Sequence, residues 1–128
     1  MKLLIAVMLG SVGVIHLLPL AGVLGADRLS ILYGLRFDEP NLIILMRHRA
    51  VLFGLLGAYL LYAAFQPAHQ RVALIAGWIS VASFLSLACA ADSYNLASAR
   101  VFGMDVIAAA CLLVATVAVC MAENKSLP

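Results

Sequence analysis

Residues 45–65, LMRHRAVLFGLLGAYLLYAAF, set Arg47, His48 and Arg49 directly against a long apolar run. Other apolar runs carry isolated ionisable groups: His16 lies in the first, Asp105 in the last, and Asp92 follows the third. These residue types suggest three chemistries. Guanidinium forks hold carboxylates and phosphates through two parallel hydrogen bonds. Imidazole and carboxylate can move protons when both lie within one hydrogen bond, or one water, of a substrate atom. Two histidines on facing helices can hold a haem iron, and His16 with His48 is the pair whose approximate depths allow it. No GxSxG, Walker loop, HExxH or dinucleotide fingerprint accompanies them. Cys89, Cys111 and Cys120 are dispersed through apolar sequence without CxxC or metal-ligand spacing. They read as small buried hydrophobes, and no metal site is expected.

The elements that must position these groups follow from composition. Of 128 residues, 66% are hydrophobic and 11% charged, with a mean hydropathy of +1.11. A soluble domain averages about 45–50% apolar and about 25% charged residues, so the outer surface is suited to lipid. Four apolar runs appear, approximately 3–25, 42–65, 72–91 and 101–121. Each is near the ~20 residues that a helix needs to cross a ~30 Å hydrocarbon core. Lipid offers the backbone no hydrogen-bond partner, so each crossing is expected to be helical. The reading is an all-α, integral membrane four-helix bundle, up-down-up-down, forming a single transmembrane domain over residues 1–128. The first run is read as a retained span rather than a signal peptide: it is long and carries Gly13, His16 and Pro19, which suit a packed helix.

Up-down threading makes a geometric prediction. The connections 26–41 and 92–100 fall on one side, and the half of the bundle next to them collects His16, Arg47, His48, Arg49, Asp92 and Asp105. At 1.5 Å per residue His16 lies about 13 Å below its helix end and His48 about 9 Å below its own. Ionised groups at membrane depth face the interior and pair with one another, and the expected pair is Asp105 with Arg47 or Arg49. Small and polar residues recur on one face of each span: Ala6, Gly10, Gly13 and His16; Ala50, Gly54, Gly57 and Ala58; Ala73, Gly77, Ser80 and Ser83; Asp105, Ala108, Ala109 and Thr116. Such faces let backbones approach closely. Within the first connection, Leu29, Leu32 and Tyr33 have helical spacing and Gly34 can cap them, predicting a short interfacial helix.

Several functions are compatible with this arrangement. The leading expectation is a small membrane protein that binds a lipid or other small amphipathic ligand through His16, Arg47, His48, Arg49, Asp92 and Asp105. A second is an intramembrane oxidoreductase subunit or isomerase that uses His16 and Asp105. A third is a structural partner of another membrane protein, or a homo-oligomer, joined through the small-residue faces. The bland alternatives are snorkelling interfacial arginines, a histidine bonded within the bundle and a structural ion pair for Asp105. No cofactor is required, haem b through His16 and His48 being the alternative. A net charge of +2 without a basic, aromatic-interleaved stripe gives no reason to expect nucleic acid.

The stretch LYGLRFDEPNLIILMRHRAVLFGLLGAYLLYAAF, with LLPLAGVLG before it and SYNLASARV after it, resembles a family of small four-helix bacterial membrane proteins of unknown function, loosely DoxX-like. The resemblance implies four helices and a membrane, and transfers no established catalytic residue; the location expected for the chain is the bacterial inner membrane. Members of such families often bear the name phosphopantetheine adenylyltransferase, which this sequence does not support. That enzyme needs a His-x-Gly-His motif, whereas His16 is followed by Leu-Leu-Pro, His48 by Arg-Ala-Val and His69 by Gln-Arg-Val.

Overall fold

A computed structural model describes residues 1–124 of the chain. It contains five α-helices: α1 (Lys2–Leu17), α2 (Ala26–Tyr33), α3 (Pro40–Phe65), α4 (Gln70–Ala90) and α5 (Leu96–Asn124), with 3-10 turns at Leu18–Leu24 and Pro67–His69. Among the described residues there is no strand. Four segments are long and apolar enough to cross a membrane: Lys2–Leu24, Pro40–Phe65, Pro67–Ala90 and Leu96–Asn124.

The helix ends have local causes. Pro19 lacks an amide hydrogen, and the chain leaves α-geometry for the 3-10 turn around it. Gly34 takes the left-handed conformation, φ 63°, and its N–H bonds the Ser30 carbonyl, closing α2 where the spacing predicts a short helix. Pro40 opens α3, and Glu39 caps it by accepting from the amides of Asn41 (3.0 Å) and Leu42 (2.6 Å). These amides hold the Glu39 carboxyl below the ordinary carboxylate range. The last helix begins at Leu96, five residues before the expected Val101. Asn95 Oδ1 accepts from the Ser98 amide at 2.8 Å, a helix cap that shortens the expected connection 92–100.

Helix α1 packs on α3 and α5, while α4 packs on α5 and α3, closing a cycle of four long helices. Their shared core includes Leu9, Val12, Leu60, Val81 and Leu112. Two glycines let the backbones of α1 and α3 approach each other tightly. A Cβ on Gly57 would stand 2.8 Å from the Gly13 carbonyl oxygen, and one on Gly13 would stand 3.0 Å from that of Gly57. The small-residue faces are partly as expected: Ala50, Gly54 and Gly57 are buried, but Ala58 is exposed, and on α4 Ala73 and Gly77 are buried while Ser83 is exposed. The outer surface remains apolar, with Leu3 78%, Leu55 64%, Ile79 66% and Leu113 58% exposed. Water would penalise such a surface, whereas hydrocarbon would not.

Candidate functional site

The polar residues of the candidate site gather around a partly enclosed cavity of about 170 Å³. Its wall comes from the end of α1 and the following turn (Ile15, His16, Leu18, Pro19), α2 (Leu32, Tyr33), α3 (Arg49, Phe53) and the first turns of α5 (Ala97, Arg100, Val101, Met104, Asp105). Helix α4 contributes no lining residue. Arg49 and Asp105 each stand nine residues beyond the start of their helix, about 13–14 Å along it at 1.5 Å per residue. This equal spacing is one reason that two distant sequence positions can share one cavity.

Arg49 is held by aromatic groups. Its Nη1 donates to the Tyr33 hydroxyl at 2.7 Å, and its guanidinium carbon lies 5.4 Å from the Tyr33 ring centre and 4.7 Å from that of Phe53. Phe53 is one helical turn beyond Arg49, so the helix itself places the ring under the cation. The Phe53 ring also stacks against His16, with centroids 5.6 Å apart and an interplanar angle of 18°. Tyr33 lines the cavity, and Asn95 Nδ2 donates to its carbonyl at 2.8 Å, tying the end of α2 to the start of α5.

His16 is buried and has both ring nitrogens engaged: Nδ1 lies 2.9 Å from the Val12 carbonyl oxygen and Nε2 lies 3.0 Å from Ser80 Oγ on α4. A carbonyl can only accept, so Nδ1 carries a proton. In the neutral ring, Nε2 then accepts from the serine hydroxyl. The histidine thus fastens α1 to α4 while its ring borders the cavity.

Asp105 is 8% exposed. Among the described residues it accepts no hydrogen bond, and the ion pairs within 4 Å are Arg36–Asp38 and Arg71–Glu123. No buried side-chain polar atom is sealed away without a partner, so the unpartnered Asp105 oxygens open onto the cavity. Arg49, in the same cavity wall, makes no ion pair with Asp105 within 4 Å.

The structure therefore brings together three of the six expected site residues, His16, Arg49 and Asp105. The other three lie outside the cavity wall. Arg47 is exposed and donates from Nε to the Val23 carbonyl at 2.8 Å, satisfying an acceptor at the end of the 3-10 turn. His48 is exposed on the surface of α3, and Asp92 is exposed in the turn after α4. Consecutive helical residues point 100° apart, so Arg47, His48 and Arg49 cannot all enter one pocket. The expected ion pair of Asp105 with either arginine is absent: Arg47 donates to the Val23 carbonyl, and Arg49, with Nη1 on Tyr33, lies more than 4 Å from the Asp105 carboxylate. His16 and His48 do not face a common space, and the bis-histidine haem arrangement has no geometric support. Tyr33, Phe53 and Ser80 are site residues that sequence reasoning missed. Phe53 carried a signal in its four-residue spacing from Arg49; Ser80, 64 positions from His16, carried none.

Compared with protein-family models, curated proteins and solved structures, the chain finds no match.

Proposed function

We propose that the chain is a multi-pass protein of the bacterial inner membrane, threaded up-down-up-down, that binds a small amphipathic molecule in the cavity between α1, α2, α3 and α5. The observation that carries this reading is the combination of Arg49 and Asp105 in one largely apolar wall, oppositely charged yet unpaired. A structural ion pair would have closed; an open one leaves room for a ligand that contacts both. Membrane insertion is supported by four apolar segments of sufficient length and by their exposed hydrophobic faces. The DoxX-like resemblance, four small helices in a bacterial membrane, agrees with this reading and adds no ligand to it.

A cavity of about 150 Å³ takes a benzene-sized group, so this one suits a headgroup or ring with its hydrocarbon part extending outward. The catalytic alternative gains from His16 and Asp105 bordering the same space, but both His16 nitrogens are already engaged. His16 is therefore assigned a positioning role. The test is native mass spectrometry of protein purified in mild detergent. A retained amphiphile is expected, lost in Arg49→Ala and kept in Arg47→Ala. Absence of any retained or added amphiphile on folded wild-type protein would overturn the proposal.

A further inference from the structure

We infer that the cavity ligand is a zwitterion in which an ammonium group sits beside a phosphate, the chemistry of a phosphoethanolamine headgroup, with the ammonium on Asp105 and the phosphate on Arg49. This inference rests on the ligand-binding reading above and adds the ligand's chemical class.

Asp105 requires a donor. It is more than nine-tenths buried, accepts no hydrogen bond among the described residues and opens onto the cavity. An ionised carboxylate in such surroundings is costly without a partner, and the strongest partner is a charged N–H donor. The protein's own nearby cation does not fill that role: Arg49 is turned to the Tyr33 hydroxyl and lies over Phe53. Arg100, the other cation in the wall, is exposed.

Arg49 in turn keeps donors to spare. A guanidinium has five N–H groups, and one is bonded to Tyr33 in the structure. The remaining fork suits two oxygens of a phosphate. An anion alone would answer Arg49 and repel Asp105. An amine alone would do the reverse. A short zwitterion answers both, and the apolar residues Ile15, Leu18, Leu32 and Val101 around it accommodate a hydrocarbon attachment.

The amine must donate hydrogen bonds, so methylation should matter. Wild-type protein in detergent would be titrated with phosphatidylethanolamine, phosphatidylcholine and phosphatidylglycerol and read by native mass spectrometry. The expected result is at least tenfold preference for the ethanolamine lipid over the other two. Asp105→Asn should reduce that preference to near parity with phosphatidylglycerol, and Arg49→Gln should weaken all three. Equal binding of the three lipids by wild-type protein would overturn the zwitterion assignment while leaving a ligand-binding cavity. Binding of none would instead remove the ligand-binding reading itself. The wild-type comparison needs no variant to fold. A parallel titration with glycerophosphoethanolamine separates the sources of the same chemistry. Displacement of the lipid shows that the headgroup suffices, and its failure shows that the acyl chains are needed.

Discussion

A buried carboxylate without a partner should be a burden to the empty protein. Asp105 makes no hydrogen bond that an asparagine of the same shape would lose, and asparagine carries no charge to desolvate, so Asp105→Asn is expected to stabilise the lipid-stripped protein. Thermal unfolding in detergent checks it; a lower melting temperature would mean that the carboxylate is paired in solution. His16 makes the opposite case. Its ring bridges Ser80 and stacks on Phe53, and the cycle of His16→Phe, Ser80→Ala and the double variant isolates the bridge while retaining a ring. Interhelical hydrogen bonds of this kind couple by about 0.6 kcal/mol on average and up to about 1.7. A coupling of zero would show that the bridge contributes nothing. The sequence made His16, Arg49 and Asp105 legible as costly groups needing an interior. It did not show which of Arg47, His48 and Arg49 turns inward, because that depends on the rotation of α3 against α1. Nor did it reveal Ser80 and Tyr33 as their neighbours, since those contacts join distant elements.

Glycines divide the helices into faces that must touch and faces that need not. The Gly57→Ala methyl would sit 2.8 Å from the Gly13 carbonyl oxygen, a backbone atom that cannot rotate away. The expected cost is about 1–3 kcal/mol, as for other overpacked contacts. Gly103→Ala, with nothing within 4 Å of the added carbon, should be neutral or mildly stabilising through helix propensity. Equal behaviour of the two variants in unfolding experiments would deny the close crossing. At the other end of α3, Glu39 caps the helix through both carboxylate oxygens, and charge strengthens these bonds. Its carboxyl is depressed in the folded state, so its contribution is fully present above the unfolded value, about pH 4.3. That contribution is lost as pH falls through the lower folded value. The stability difference between wild type and Glu39→Gln should therefore shrink as pH falls below about 4.3; a difference independent of pH would exclude the carboxylate cap. Apolar runs of about 20 residues made the long helices legible, and Gly34 did the same for α2. The early start of α5 was also written in the sequence, as Asn95 before LAS, but the polar look of SYNLASAR masked the cap.

For the molecule as a whole, the cavity depends on which helix ends share a side. The C-terminal end of α1 meets the first half of α3 and the start of α5: Leu20 approaches Gly54, Gly22 approaches Ala50, and Ile15 shares the cavity wall with Met104. At the other end, Arg71 near the start of α4 donates from Nε to Glu123 near the end of α5 at 2.7 Å. Both sets of contacts agree with the proposed up-down threading. The proposed threading puts the segments 34–39 and 91–95 on one side of the membrane and the turn Pro67–His69 on the other. The total length of apolar sequence made four helices of crossing length legible; only the packed contacts determine which ends meet. Single cysteines placed at Asp38, Asp92 and Ala68 in a background lacking Cys89, Cys111 and Cys120 test this arrangement with an impermeant maleimide on sealed vesicles. Asp38→Cys and Asp92→Cys should label together, and Ala68→Cys should label only from the opposite face. Labelling of all three from one face would rule out the up-down threading. It would also separate the ends that bring Arg49 and Asp105 to one depth, so the binding cavity would fall with it.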